Sequence, residues 1–289
     1  MATKLCGRTA ADEILAKLSQ QVQKSGKTPK LCIIQVGKNP ASSSYIRQKE
    51  KAAKKSSVEF QHILLDSSAT LAEIKAKIQQ LNDDESVTGF MLQLPLDSSN
   101  DLSAEDVQKL LNSIDPRKDS DGLHVLNQGH LFTGESTERK WTSPLPATAL
   151  GVMRLLDYYK IPVKGVDVAV IGRSRLVGFP IAALLSHAGA TVTILHRRSR
   201  DIAKHCRHCK IIIVATGCKH LVNKDFVNKE TIVIDVGIHL NEDRSLTGDA
   251  DPSIYPEIKA YTPVPGGVGP MTVVGLIENT VRLANNTSD

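Results

Sequence analysis

Apolar residues recur along this chain with two alternating spacings, and the alternation sets the expected fold. Ile14, Leu15, Leu18 and Val22 fall on one face of a helix, whereas Leu31-Cys32-Ile33-Ile34-Gln35-Val36 is a continuous apolar run of strand length. The pattern then predicts a helix over 43–55, a strand over 60–64, a helix over 71–81, a strand over 87–94 and a helix over 104–111. Positions 115–146 are polar, rich in turn formers and nearly without period, so a functional loop and the crossing to a second domain are expected there. Beyond them a helix over 147–159 leads to a strand over 166–171. Further strands are predicted over 191–195, 210–215 and 231–236, and a last helix over 271–284.

Strands that alternate with helices from end to end imply α/β layers with parallel sheets. The expected architecture is two α/β domains, the second a Rossmann-like dinucleotide-binding domain, with the C-terminal helix returning to the first. The boundaries follow as 1–145 plus 271–289 for one domain and 146–270 for the other. At 289 residues the chain can build two cores, and 41% hydrophobic with 23% charged residues is an ordinary globular balance.

Composition removes several function classes. Aromatic residues make up 4%, too few for an oligonucleotide-stacking surface, and the net charge of +5 is spread along the chain, so no nucleic-acid partner is expected. No apolar run approaches the roughly 20 residues of a membrane span, so no membrane partner is expected. The start, Met1 to Cys6, lacks the apolar core of a secretory signal, and Asp12 and Glu13 follow early. With five cysteines, an odd number, this points to a cytoplasmic setting with reduced thiols, a mitochondrial leader staying open. Cys206 and Cys209, beside His205 and His208, have no second ligand pair at finger-like spacing; a structural or surface role and no metal are expected.

Candidate chemistry lies at the strand ends. The strand over 166–171 runs into Gly172-Arg173-Ser174-Arg175-Leu176-Val177-Gly178-Phe179-Pro180 and an apolar helix, a strand, glycine turn and helix arrangement suited to a pyrophosphate. The spacing is not G-x-G-x-x-G, so a tight turn without a ligand is the competing reading. The next strand ends in Leu195-His196-Arg197-Arg198-Ser199-Arg200, where NAD-specific folds place a carboxylate; guanidinium groups there suit a 2′-phosphate and favour NADP, against a solvated basic turn.

Tyr45 and Lys49, four residues apart, are neighbours on one helix face, a spacing that a solvated pair also satisfies, the more so with Lys51, Lys54 and Lys55 nearby. Gln93-Leu94-Pro95-Leu96 ends a buried strand on a polar side chain, and Lys118-Asp119-Ser120-Asp121-Gly122 puts two carboxylates in the central loop. Near the end, Tyr261-Thr262-Pro263-Val264-Pro265-Gly266-Gly267-Val268-Gly269-Pro270-Met271-Thr272 is a rigid, nearly uncharged loop opening a helix, a shape that suits a flat, polar-edged ligand.

Taken together these segments resemble, in order, the Y-x-x-x-K, Q-L-P-L, K-D-x-D-G, G-R-S-x-x-V-G-x-P and PGGVGPMT motifs of the bifunctional methylenetetrahydrofolate dehydrogenase/cyclohydrolase family, and the resemblance runs from Tyr45 to the last helix. It implies oxidation of 5,10-methylenetetrahydrofolate with NADP, hydrolysis of the methenyl product to 10-formyltetrahydrofolate, a formyl donor for purine synthesis, and a homodimer. It makes the first domain the folate-binding, catalytic one. Carried over by position, Lys49 is the catalytic lysine, Gln93 its hydrogen-bond partner and Asp121 a contact to the pterin. Tyr45, Leu94, Pro95, Pro265, Gly266 and Gly267 become substrate-binding. Gly172, Arg173, Ser174, Val177, Gly178, His196, Arg197, Ala215, Thr216, Gly237, Ile238 and Thr272 become cofactor-binding. Arg197 and Ser120 stand where the family often has serine and valine. Pro144-Leu145-Pro146-Ala147-Thr148 stands where P-C-T-P-x-G is usual, with the threonine and glycine displaced. The alternatives are an enzyme of the same family with one activity, a non-catalytic folate or nucleotide sensor, and a nucleic-acid-binding module.

Overall fold

The computed structural model describes residues 2–134, 136–137, 140–141 and 143–286. The chain begins with β1 (Thr3–Lys4), α1 (Gly7–Ser25), β2 (Lys30–Val36), α2 (Pro40–Lys55), β3 (Glu59–Leu65), α3 (Leu71–Asp83), β4 (Gly89–Leu92) and α4 (Ala104–Leu111). Next come α5 (Val125–Thr133), β5 (Ser136–Thr137), β6 (Lys140–Trp141), α6 (Ala147–Tyr158), β7 (Asp167–Ile171), α7 (Gly178–His187) and β8 (Thr191–Leu195). It closes with α8 (Ile202–Arg207), β9 (Ile211–Val214), β10 (Ile232–Asp235), β11 (His239–Leu240), β12 (Leu246–Thr247), a 3-10 turn (Pro252–Glu257), β13 (Ala260–Tyr261) and α9 (Val268–Asn286).

Two compact units result: Glu13–Ala147 with Val273–Asp289, and Met1–Asp12 with Thr148–Thr272. The division differs from the expected one at the N-terminus, where residues 1–12 leave the 13–147 unit for the other. The reason is strand pairing: β1 lies parallel to β13, with Thr3 opposite Ala260, and the Leu5 amide donates to the Tyr261 carbonyl at 2.8 Å. A two-residue strand has no period to read.

In the 13–147 unit three parallel strands pair in the order β3-β2-β4, Leu31 standing opposite Phe60 and Gly89. The central strand β2 is buried almost throughout, which is why its sequence is continuously apolar. Three of the unit's helices are started by their own caps. The Asn39 side chain accepts from the Ala41 and Ser42 amides with Pro40 in the first turn of α2, and Thr70 with Glu73 and Ser103 with Asp106 form capping boxes on α3 and α4. The C-terminal helix belongs here from Val273 onward: the Asn279 side chain donates to the Ser120 carbonyl at 2.9 Å and the Leu145 carbonyl at 2.7 Å, and the Thr280 hydroxyl donates to Ser120 Oγ at 3.0 Å.

The 148–272 unit holds a six-stranded sheet, β1-β13-β10-β9-β7-β8, parallel at every pairing. Because β7 lies between β8 and β9, successive crossovers leave it in opposite directions, the Rossmann-like arrangement whose ligand crevice opens at the strand ends beside the reversal. Cys206 and Cys209 lie in this unit's core, with Ala169, Ile212 and Val233. Burial pushes the Cys206 thiol up to about 12, and no metal-binding group of His, Cys, Asp or Glu exists among the described residues.

Besides the short elements β1, β5, β6, α8, β11, β12 and β13, which the sequence pattern does not announce, two elements depart from expectation. Residues 125–133 form α5 within the stretch read as a loop; Val125, Leu126 and Phe132 stay exposed at 49%, 53% and 55%, so the helix has no clean apolar stripe to announce it. The last helix begins at Val268 rather than 271, since a proline, here Pro270, is tolerated in a first turn. Residues 135, 138, 139 and 142 of the same loop lie outside the described residues. Among the described residues no helix is long and apolar enough to cross a membrane.

Candidate active site

In the 13–147 unit the chemistry gathers at the carboxyl end of β4. Ser42, Ile46, Lys49, Ala52 and Ala53 form the buried face of α2, so Lys49 is carried inward while Lys51, Lys54 and Lys55 stay exposed. Its Nζ donates to Gln93 Oε1 at 2.8 Å and approaches Met91 Sδ at 3.2 Å. The Gln93 amide nitrogen donates to the Leu94 carbonyl at 2.6 Å, which turns Oε1 toward the lysine. Burial holds the Lys49 amine below the usual lysine range, and the Asp121 charge works against that shift. Asp121 is partly buried; desolvation raises its carboxyl and the Lys49 charge opposes it. Tyr45, one turn before Lys49, leaves 36% of its surface exposed. The Leu94–Pro95 bond is cis, and Pro95 is exposed.

The K-D-x-D-G segment reaches this place by running beside β4: the Phe90 amide donates to the Lys118 carbonyl at 2.8 Å and the Ser120 amide to the Phe90 carbonyl at 3.1 Å. Its residues divide their work. Lys118 Nζ donates to the carbonyls of Leu81, Asn82 and Asp84 at the end of α3. Asp119, 1% exposed, accepts from the Gly122 and His124 amides and the Asn127 side chain, and burial pushes its carboxyl up to about 6. Gly122 at φ 69° packs against the Leu145 carbonyl, where a Cβ would collide. Asp121 alone of the two carboxylates is left beside the amine. Ser42 Oγ, buried on the Lys49 face of α2, has no hydrogen-bond partner among the described residues. A serine seven residues before the lysine on a buried stripe was the signal for it.

In the 148–272 unit the candidate cofactor residues collect at the carboxyl ends of β7, β8 and β9. Gly172, at φ 118°, donates its amide to the Leu195 carbonyl at 2.8 Å and lies so close to the Ala215 carbonyl that a Cβ would collide with it. Gly178 approaches the Gly172 carbonyl just as closely. Ser174 Oγ accepts from the Val177 and Gly178 amides at 3.2 and 3.4 Å as α7 begins, a turn built for close approach of a ligand to backbone. Arg173 and Arg197 are exposed, and His196 Nδ1 accepts from the Arg198 amide at 3.2 Å. No carboxylate follows Leu195 until Asp201, which opens α8. The donor set therefore fits a 2′-phosphorylated dinucleotide: glycine backbone for the pyrophosphate, guanidinium groups for the extra phosphate. The Thr216 amide and hydroxyl donate to Asp249 Oδ2, Gly237 closes against Asp249 Oδ1, and Ile238 is 44% exposed.

The twelve cofactor candidates are not all brought together. Thr272 Oγ1 donates to Thr148 Oγ1 at 3.3 Å, and among the described residues no hydrogen bond joins it to the other eleven. The substrate candidates are also divided: Tyr45, Leu94 and Pro95 belong to the 13–147 unit, but Pro265, Gly266 and Gly267 to the 148–272 unit. There the Gly266 carbonyl accepts from the Gly7 and Arg8 amides at 2.8 and 3.3 Å, so the first turn of α1 holds the loop. The displaced P-C-T-P-x-G pattern also reads differently once folded. Pro146, Thr148 and Gly151 occupy its first, third and sixth positions; Gly151 packs where a Cβ would meet the Met271 carbonyl, and Thr148 holds Thr272.

A parallel-sheet unit with a buried amine at a strand end, and a Rossmann-like unit with a glycine turn, define the class: a two-unit α/β oxidoreductase scaffold. Residues 5–121 match the tetrahydrofolate dehydrogenase/cyclohydrolase catalytic domain and residues 146–288 its NAD(P)-binding domain, and the chain belongs to the tetrahydrofolate dehydrogenase/cyclohydrolase family. The bifunctional protein FolD of Oceanobacillus iheyensis is 38% identical over 293 residues, covering 100% of this chain and 99% of that protein. Among solved structures, the bifunctional FolD methylenetetrahydrofolate dehydrogenase/cyclohydrolase of Campylobacter jejuni has a TM-score of 0.89 at 39% identity, with 99% of each chain covered. The Trypanosoma brucei dehydrogenase-cyclohydrolase, solved with NADP and an inhibitor, has a TM-score of 0.88 at 32% identity, covering 98% of this chain and 97% of that one.

Proposed function

We propose that this protein oxidises 5,10-methylenetetrahydrofolate to the methenyl form with NADP and hydrolyses that product to 10-formyltetrahydrofolate, using Lys49 to move protons. The observation that carries the reading is the buried Lys49 amine, held by Gln93 at 2.8 Å and depressed by desolvation. NADP, when bound, accepts the hydride. The oxidation leaves a carbocation that two flanking nitrogens stabilise, so the protein has only to position and to exclude water, and no strong acid or base is required. Tyr45 supplies a flat face for the folate and Asp121 a carboxylate for the amino edge of the pterin. Gly172, Ser174 and Gly178 hold the pyrophosphate, Arg173 and Arg197 the 2′-phosphate.

Hydrolysis makes the larger demand on side chains. A water oxygen bonds to the cationic carbon and loses one proton to neutral Lys49 Nζ. The bond from that carbon to the ring nitrogen N5 then breaks as Lys49 returns that proton to the nitrogen, while the hydroxyl gives its remaining proton to solvent and becomes the formyl oxygen. A desolvated amine suits both halves, since it is neutral for the first and charged for the second, and the Gln93 oxygen orients it throughout. The formyl group stays on N10, a one-carbon donor for purine synthesis.

A homodimer is part of the same reading. β8 is the outer strand of its sheet, and Ile194 on it is 37% exposed, an edge that a second copy can extend. Five unpaired cysteines fit a reducing, cytoplasmic setting. The test is an absorbance trace of purified protein with methylenetetrahydrofolate and NADP. Methenyl absorbance that rises and then decays above the buffer rate is the expected result; no methenyl formation contradicts the reading. Sedimentation at twice the chain mass checks the dimer, and a monomer at micromolar concentration contradicts it.

A further inference from the structure

The 148–272 unit carries two buried carboxylates, Asp235 and Asp249, that the proposed reaction does not use. Asp235, 1% exposed, ends β10 and accepts from the Gly237 amide at 2.9 Å, the Asp249 amide at 3.0 Å and the Ala250 amide at 2.8 Å. Asp249, 0% exposed, is held in turn. Its Oδ2 accepts from the Thr216 amide at 2.6 Å, the Thr216 hydroxyl at 2.8 Å and the Gly217 amide at 3.0 Å, while its Oδ1 lies 2.7 Å from His239 Nε2. A Cβ on Gly237 would collide with that same Oδ1, so the turn after β10 closes directly on the carboxylate. The turn after β9 keeps one ladder bond past its strand, from the Ala215 amide to the Ile171 carbonyl at 2.8 Å, and the turn after β10 one, from the Val236 amide to the Val214 carbonyl at 2.9 Å. Beyond those bonds the Asp249 side chain, 32 or more residues from the first turn in sequence, reaches both turns.

We infer that Asp249 is a positioning residue for the cofactor: its carboxylate sets the Ala215-Thr216-Gly217 turn and, through His239 and Gly237, the Gly237-Ile238-His239 turn, so that the two present their backbone to bound NADP. The inference rests on the proposed cofactor reading, and on the sheet reversal beside β7 and β9, at whose carboxyl ends the first of these turns lies. A carboxylate is required because all its partners on that side are donors. An amide in its place would turn its NH2 group either toward the Thr216 and Gly217 N–H groups, releasing that turn, or toward His239 Nε2, which must then change tautomer to accept and trades a bond to a carboxylate for a weaker one to an amide.

The hydrolytic half-reaction supplies the control. Asp249→Asn is expected to raise the Michaelis constant and the dissociation constant for NADP about tenfold or more, while hydrolysis of methenyltetrahydrofolate measured without NADP stays within about twofold of the parent. Thr216→Val, which removes the hydroxyl's bond to Asp249 and the one it accepts from the Cys218 amide at 3.1 Å, should weaken NADP by a smaller factor, and the double variant should lose less than the two single losses added, since both include the Asp249 contact. An unchanged NADP constant in Asp249→Asn overturns the inference, as does an equal loss of both activities, which would make Asp249 a general prop of the fold. Additive effects in the double variant overturn it too. A parent protein that binds no NADP in the same titration would instead overturn the cofactor reading beneath it.

Discussion

The two units solve one problem with different materials. Both place their candidate residues at the carboxyl ends of parallel strands where the strand order reverses, beside β2 and β4 in one and beside β7 and β9 in the other. In the 13–147 unit the strand end is filled by side chains: a desolvated amine, an amide to orient it, a carboxylate nearby. In the 148–272 unit it is filled by backbone brought close through glycine, with charges kept exposed at the rim. Proton transfer needs a titratable group in a low-dielectric place, whereas holding a dinucleotide needs amides and room. The scaffold supplies a location and the local residues decide the chemistry.

That contrast predicts different kinds of damage. Lys49→Met should abolish the cyclohydrolase, a loss on the order of 10³-fold, with the fold kept, because it removes the group proposed to move the proton; unchanged hydrolysis of methenyltetrahydrofolate would remove Lys49 from the reaction. Gly172→Val attacks space rather than charge: the side chain meets the Ala215 carbonyl at a backbone φ of 118°. NADP binding should be lost and stability should fall by ~2–4 kcal/mol, checked by calorimetry and denaturant melts; a normal melt with normal NADP binding would contradict the close approach. Arg197→Ala should raise the Michaelis constant for NADP about tenfold while leaving that for NAD nearly unchanged; equal effects on both would take away its 2′-phosphate role.

The smallest effect concerns one buried acid in each unit. Burial lifts Asp119 and Asp235 to about 6 from an ordinary 3.8. A raised carboxyl means the native state holds more protons than the unfolded chain between those values, so their contribution to stability is full below pH ~4 and is lost as pH rises through ~6. Asp119→Asn should flatten that loss by on the order of 1 kcal/mol, read from denaturant midpoints at pH 4.5 and pH 7. A slope identical to the parent's would show that Asp119 ionises freely in the fold.

Much of this division is legible in the chain. The inner strands declare themselves because burial on both faces writes continuous apolar runs, as in Leu31–Val36 and Ile211–Val214. The Gly172–Pro180 turn and the Tyr45–Lys49 spacing are visible because their parts are local. What escapes is what depends on distant partners or on too few residues. β1 is two residues long and exists through β13, some 250 positions away. α5 buries Leu131 but exposes Val125, Leu126 and Phe132, and so lacks a clean stripe. Asp249 looks like a loop aspartate until Thr216, Gly217 and His239 close on it. The spacing that suggests Lys49 says nothing of its burial, which α2 decides by turning Ser42, Ile46 and Lys49 to one side while its other lysines face water.

The depressed amine can be observed directly. With lysine labelled at the ε carbon, a pH titration followed by NMR, assigned by the missing signal in Lys49→Met, should show Lys49 losing its proton well below the ordinary lysine value of ~10.4 in the folded enzyme. A signal that titrates with the solvent-exposed lysines would contradict the claim that burial makes this amine a proton carrier.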